Sequence, residues 1–363
     1  MEEILKLKQL GFNLSEILKL LTYLRLAGIE TEDYKDMFLS MLKDKKIEIQ
    51  KIYNKYKKMN INVSETIKNI QQSRTKNSNI IGFPVSYLDI LKCPDCRSKL
   101  NIKNGIIENS MLTEGNAVCK CGYHAKINYG IFIEEKTVRK RLLNGNPWPS
   151  GDDYLRVVSP NFINFIYSGM NKISDHLNDY DTGSKLILEL QHCVGYFLKH
   201  YINHRSVDST YILVDYDIDK ILELKKSLEL NQEYNNFIFL CCQMDRIPIC
   251  ESSIDIIVDH WMTKDYAHAE KDFVLKVLLP LLKKEGILVG SYPYFKTMKN
   301  VKNIDADVIS YFNKDKILEK IKGLGISQLN ITDIGPVIEN NPYNYDISGK
   351  EVYQMIYLGI NKT

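Results

Sequence analysis

The chain has 363 residues, of which 44% are hydrophobic and 26% charged, and its net charge is +3. These values exclude a disordered chain and a bulk electrostatic affinity for nucleic acid, while leaving room for a local basic face. No apolar run approaches the roughly 20 residues that a membrane span needs, so no membrane association is expected. The opening MEEILKLKQL is charged and helical, unlike a signal peptide. The eight cysteines include the close pairs Cys93/Cys96 and Cys119/Cys121. In a chain without an export signal, such pairs fit a reduced compartment and a metal site better than disulfides. A cytoplasmic protein of two or three domains is expected.

The first segment, residues 1–72, has a helical pattern. Leu5, Leu7, Leu10 and Phe12 precede GFNLSE, in which Asn13 can cap a helix carrying Ile17, Leu18, Leu20 and Leu21. After Thr31-Glu32-Asp33 the apolar residues Leu42, Ile49, Tyr56, Val63 and Ile70 recur every seven residues. Phe38, Ile52 and Met59 fill the intervening row, which Lys45 and Thr66 interrupt. This heptad spacing predicts a long helix and a coiled-coil seam that pairs two copies of the chain. The alternative is a long helix packed only on its own domain. The stretch ILKLKQLGFNLSEILKLL and the long helix resemble the later half of a MerR-family regulator, which pairs through an antiparallel helix. The resemblance implies a homodimer. The winged helix-turn-helix of that family would lie upstream of this stretch, which implies either that the recognition half has been lost or that the true start lies further upstream. As given, the chain offers no recognition helix to enter a groove, which puts direct DNA binding in doubt.

Residues 71–79, QQSRTKNSN, are polar and linker-like. The second segment, residues 80–135, holds LKCPDC and CKCGYHAKI. Tetrahedral zinc wants four thiolate or imidazole ligands, which Cys93, Cys96, Cys119 and Cys121 can supply from two tight knuckles. The second knuckle is C-x-C, which leaves His124 as a substitute ligand. KLNIKNGIIE and EGNAVCK read as short strands around Asn104-Gly105 and Glu114-Gly115 turns, which makes the segment a zinc ribbon. A closed ligand set leaves no place for substrate, so the metal's role is expected to be structural. A segment this small with little apolar mass is expected to need metal energy to fold. The stretch resembles zinc ribbons that precede some bacterial methyltransferase domains.

The third segment, residues 152–363, alternates strands and helices after the turn-rich NPWPSGDD. An amphipathic helix (SPNFINFIYSGMNKISDHL) leads into strand KLILEL, helix GYFLKHYI, strand TYILVDY, helix DKILELKKSLEL and strand NFIFLCCQ. Strand SIDIIVD, helix KDFVLKVLLPLLKK, strand GILVGSYPYF, helix DKILEKIKGL and the strands SQLNITDIG and VYQMIYLGI follow. The alternation predicts an α/β fold, a mostly parallel sheet covered on both faces, with one antiparallel edge from the final strand pair.

In such sheets a ligand sits beyond the carboxyl ends of the strands where their order reverses. The loops after the first three strands carry Glu189 to Gly195, Asp215-Tyr216-Asp217 and Gln243-Met244-Asp245. A carboxylate ending the second strand can take two ribose hydroxyls, and a polar side chain after the third can reach an adenine amino group. Asp215 and Gln243 hold those places. The order and spacing resemble a class I S-adenosylmethionine-dependent methyltransferase, with a Rossmann-like sheet. QMDRIPICESSIDIIV and LLKKEGILVGSY resemble two of that family's sequence blocks. The family's first loop reads E-x-G-x-G-x-G. In ILELQHCVGYFL, Glu189 and Gly195 stand in place, while Gln191 and Cys193 replace the first two glycines. The resemblance implies that Glu189, Gln191, Cys193, Gly195, Asp215, Tyr216, Gln243 and Met244 line an S-adenosylmethionine pocket. Gln191 puts a side chain where the methionine portion would lie, and a positive φ at either replaced position would cost about 1–2 kcal/mol.

Other candidates have plainer readings. His200 and His204 lie on one helix face without an evident third metal ligand, and Cys241-Cys242 alternate faces of a buried strand. A helix N-terminus near Cys193 would lower its thiol pKa. His260 and Trp261 end the fourth strand, where a base and a stacking wall for a methyl acceptor would lie, or where they only line a pocket. No catalytic residue is assigned. Two functions stay open: a methyltransferase with an unread acceptor, and a non-catalytic MerR-type transcriptional regulator or scaffold whose pocket senses a small ligand.

Overall fold

The computed structural model describes residues 2–27, 31–73, 80–136, 142–143, 146–147, 151–191, 195–230, 236–297, 304–340, 342–344 and 346–363. They form two compact units, Met1–Asn77 and Ser78–Thr363.

The first unit is helical: α1 (Glu2–Gln9), α2 (Leu14–Ala27) and α3 (Glu32–Ser73). Asn13 and Glu16 exchange side chain-to-amide bonds at the start of α2 (2.8 and 3.0 Å), a capping box that satisfies two end amides. Thr31 Oγ1 accepts the Tyr34 amide at the start of α3. Leu7, Phe12, Ile17, Leu20 and Tyr34 form a small core with Met37, Phe38, Met41 and Leu42 around it. Lys45 closes that core. Its ammonium lies against the Phe12 ring and pairs with Glu16 and Glu48. Beyond it Ile49, Ile52, Tyr56, Met59 and Val63 are all exposed, while the Ile70 side chain lies outside the description.

The second unit is built on a 12-stranded sheet. Its ribbon end comprises β1 (Phe83–Pro84), β2 (Asn101–Glu108), β3 (Met111–Val118), β4 (His124–Asn128) and β5 (Ile131–Ile133). The strands β6 (Leu142–Leu143) and β7 (Asn146–Pro147) pair only with each other. The expected turns at Asn104-Gly105 and Glu114-Gly115 are instead irregularities inside the β2–β3 pair, where the register shifts between Lys103 and Ile106. The turn is Asn109-Ser110, both at positive φ (49° and 64°), the geometry that matches strand twist in a two-residue hairpin loop.

After α4 (Gly151–Val157) and α5 (Pro160–Asn178) come β8 (Leu186–Gln191), α6 (Tyr196–Tyr201), β9 (Thr210–Asp215), α7 (Ile218–Glu229), β10 (Phe237–Cys241) and β11 (Ile254–His260). Then α8 (Met262–Glu270), α9 (Leu275–Leu278), β12 (Leu282–Tyr294), α10 (Lys314–Gly323), β13 (Ile326–Ile338) and β14 (Glu351–Asn361) complete the chain. The sheet order is β1-β3-β4-β5-β10-β9-β8-β11-β12-β14-β13. β14 runs antiparallel to both neighbours, as the final strand pair predicted. A second expectation needs correction. The helix over KDFVLKVLLPLLKK shrinks to α9 and a 3₁₀ turn at Leu279–Leu281, because Pro280 has no amide to continue an α-helix. The helix α8 has no counterpart in the sequence reading.

Side chains along each parallel strand alternate between two cores. Phe237, Phe239 and Cys241 enter one, while Ile238, Leu240 and Cys242 enter the other. Cys241 and Cys242 therefore take opposite faces, as expected. The second of these cores is continuous with the ribbon, since Phe83, Leu91, Cys93, Leu112, Ala125 and Phe132 belong to it. The ribbon is thus not a free-standing fold held by metal alone, because it shares apolar burial with the rest of the unit.

Candidate functional site

Cys93, Cys96, Cys119 and Cys121 present sulfurs within 4.8 Å of one another. The Cys93–Cys121 and Cys96–Cys119 pairs are 3.5 and 3.4 Å apart. A tetrahedral zinc with bonds of about 2.3 Å would hold its sulfurs about 3.8 Å apart. The donor set and spacing therefore fit a zinc ion, with His124 outside the group. The knuckles are built for thiolates. The Arg97 amide donates to the Cys93 carbonyl (2.8 Å) and the Gly122 amide to that of Cys119 (3.1 Å), with Arg97 and Gly122 at positive φ. Amides of Asp95 and Cys96 point at the Cys93 sulfur, that of Ser98 at Cys96 and that of Tyr123 at Cys121. Among the described residues no other cluster of metal-binding side chains forms, so His200 and His204 stay without a metal partner set. His200 packs beside the Tyr167 ring, and burial lowers its pKa.

The second candidate site lies where the strand order reverses, between β8 and β11. Glu189, on β8, faces Leu213 of β9 and Val258 of β11 in register and is 1% exposed. Gln191 ends β8 opposite His260, while its side chain and all of Cys193 lie outside the described residues. Gly195 sits at φ 72° before α6, and a Cβ there would lie 2.4 Å from Leu224 of α7. Its side chain is missing for packing reasons as well as conformational ones. Asp215, also 1% exposed, ends β9 and its Oδ1 accepts the Asp217 amide at 2.9 Å. Asp217 in turn caps α7. Tyr216 follows, half-buried. Gln243 precedes a 3₁₀ turn, Met244–Arg246, in which Met244 is buried. The register therefore brings the carboxyl ends of β8, β9, β10 and β11 to one side of the sheet.

In chain order the strands of this half lie third, second, first, fourth, fifth, seventh, sixth, with the seventh antiparallel. The sheet is that of class I methyltransferases. No family model matches the chain, and no curated protein is similar to it. Solved structures are similar to about half of it. A SAM-dependent methyltransferase from Aquifex aeolicus shares 12% identity over 51% of this chain and 88% of its own, with a TM-score of 0.37. A putative methyltransferase from Bacillus halodurans shares 9% over 54% and 100%, with a TM-score of 0.41. A geranyl diphosphate methyltransferase in complex with GPP and sinefungin shares 10% over 54% and 79%, with a TM-score of 0.40. The strand order, not these likenesses, establishes the sheet type.

Around this strand-end edge Lys264 and Asp346 escaped the sequence reading, whereas Trp261, beside Asp259 and His260 at the end of β11, is already a candidate there. Trp261 adopts φ 67°, a rare conformation for a bulky side chain. Its indole is buried, donates to Ser291 Oγ at 3.0 Å, and meets Phe162 and Phe165 of α5 edge-on. It is a fixed wall. Asp259, fully buried, accepts the Met262 and Thr263 amides and the Thr263 hydroxyl, and so starts α8. Burial nonetheless pushes its pKa up to about 6. Lys264 of α8 pairs with buried Asp346 at 2.5 Å. Burial alone would raise the Asp346 pKa, yet Lys264 and His268 hold it down at about 2. Only the acidic and basic letters of these residues are visible in sequence, and their pairing across α8 and the segment before β14 has no local signal.

No helix of the described residues is long and apolar enough to cross a membrane.

Proposed function

We propose that the strand-end pocket binds S-adenosylmethionine and that the protein is a methyltransferase-type enzyme. One observation carries this reading: two buried carboxylates, Glu189 and Asp215, stand on adjacent parallel strands at the point where strand order reverses. Asp215, held by the Asp217 amide, would take ribose hydroxyls, and Gln243 an adenine amino group. Met244 would contribute an apolar wall. When bound, S-adenosylmethionine supplies an electrophilic methyl group on a sulfonium. The chain's own task is to hold an acceptor in line with it and exclude water, which needs no catalytic triad. The fixed Trp261 wall and His260 at the end of β11 would border that acceptor. In the ribbon, zinc on the four cysteines would be structural.

The test is calorimetric titration of S-adenosylmethionine and S-adenosylhomocysteine into zinc-loaded protein, with Asp215→Ala as control. Micromolar binding lost in the variant is the expected result. No heat and no thermal shift at millimolar ligand would exclude the enzyme reading.

The second reading is a non-catalytic MerR-type regulator or scaffold whose pocket senses a small ligand. The uncovered apolar row of α3 favours it. Two copies would pair through α3, and ligand in the pocket would be signalled to the pair.

A further inference from the structure

The segment that follows β10 does not run free on the surface of the unit. The main chain of residues 247–250 lies against the first cysteine knuckle. The Lys92 amide donates to the Pro248 carbonyl at 2.9 Å, and the Cys250 amide donates to the Ile90 carbonyl at 2.8 Å. Leu91 and Ile249 form an antiparallel bridge, and Arg97 Nη2 donates to the Ile249 carbonyl at 3.0 Å. Cys93 itself is fully buried in the core that also holds Met244, Ile247 and Ile249.

One side chain ties this arrangement together. Arg246, at the end of the 3₁₀ turn begun by Met244, donates through Nε and Nη2 to Glu134 Oε1 at 2.9 and 2.6 Å. Its Nη2 also donates to Asp95 Oδ1 at 2.8 Å. Asp95 lies between the ligands Cys93 and Cys96. Glu134, 3% exposed, follows β5, and its amide donates to the Cys241 carbonyl at the end of β10. A guanidinium is suited to this task because its planar fork reaches two carboxylates in fixed directions. The Gln243-Met244 side of the pocket therefore leans on the cysteine knuckle through the Arg246 side chain, the two main-chain hydrogen bonds of the Leu91–Ile249 bridge, and the Arg97 side chain.

We propose that Arg246 is a positioning residue that transmits the state of the metal knuckle to the third-strand loop. Metal on the four cysteines and ligand in the strand-end pocket then stabilise each other. The coupling rests on the ligand-binding reading above, whereas the mechanical link does not. Coupling between two sites is reciprocal, so whatever factor zinc adds to ligand affinity, ligand adds to zinc affinity.

The experiment has one arm without ligand and one with it. In the first, hydrogen exchange is followed by mass spectrometry in zinc-loaded wild type, Arg246→Ala and Asp95→Ala, each verified to retain its zinc. Asp95 is the milder variant, since its side chain is half exposed and the Arg246–Glu134 pair survives its loss. Faster exchange across residues 243–250 in both variants, with the β8 and β9 amides unchanged, is expected. Unchanged exchange in that segment would overturn the proposal. In the second arm S-adenosylhomocysteine is the probe and a chelator competes for zinc. Ligand is expected to slow zinc extraction about five- to tenfold in wild type, an ordinary size for coupling between sites, and not in Arg246→Ala. A purely structural Arg246 would weaken zinc retention equally with and without ligand, which would overturn the coupling. If S-adenosylhomocysteine fails to bind wild type at all, the pocket reading falls, and the exchange arm still decides the mechanical link.

Discussion

At the scale of single residues, the pocket edge is held by groups whose ionisation the fold sets. Asp259 has its pKa pushed from 3.8 up to about 6 by burial. The folded chain therefore binds that proton more tightly than the unfolded chain. Its contribution to stability is fully present below pH 3.8 and is lost as pH rises through about 6. Urea unfolding of wild type and Asp259→Asn at stepped pH should show the wild type losing ground to the variant across this window. A constant difference would mean that Asp259 does not titrate there. The buried Lys264–Asp346 pair makes a second prediction. Asp346→Ala removes the nearer, more buried carboxylate and leaves the ammonium only Asp265 at 3.3 Å, so it should cost up to about 3–5 kcal/mol, read as a lower urea midpoint. A third concerns Gly195, where a methyl group would meet both positive φ and the Leu224 side chain. Gly195→Ala should destabilise by about 2–4 kcal/mol, and a Leu224→Ala partner change should recover part of the loss.

At the scale of elements, α3 is the clearest case. Its first turns are covered by α1 and α2, and Lys45 marks the end of that cover by pairing with Glu16 and Glu48 beside the Phe12 ring. The charge that interrupts the heptad row is thus satisfied within the chain. From Ile49 to Val63 the row is exposed, and a second copy in a coiled coil is the partner its spacing suits. Sedimentation equilibrium should give a dimer for wild type and a monomer for the double variant Tyr56→Glu, Val63→Glu. A monomeric wild type at tens of micromolar would remove the seam from consideration. The ribbon strands make the opposite point. β5 pairs in parallel with β10 through Phe239↔Ile131, Leu240↔Phe132 and Cys241↔Ile133, so the ribbon extends the sheet beyond its third strand.

At the scale of the whole molecule, the two units have separate cores. Calorimetric unfolding should resolve two transitions, and chelation of zinc should lower only the one belonging to Ser78–Thr363. Because the ribbon shares its core with the methyltransferase-type half, that transition should shift downward and remain a single event. A chelator-induced third transition would show that the ribbon unfolds by itself. What was legible in the sequence is what local chemistry encodes. The two short cysteine knuckles, the strand–helix alternation, the antiparallel last pair and the carboxylates Glu189 and Asp215 at strand ends all follow from spacing within a few residues. The fate of KDFVLKVLLPLLKK was also legible in principle, since Pro280 states it, although apolar periodicity outweighed it in the reading. The tertiary structure alone decided how distant pieces meet: β5 against β10, Arg246 between Asp95 and Glu134, Lys264 against Asp346, and Gly195 against Leu224. Those pairings join residues far apart in the chain, where periodicity carries no information. Burial and hydrogen-bond satisfaction select them only once the sheet has formed.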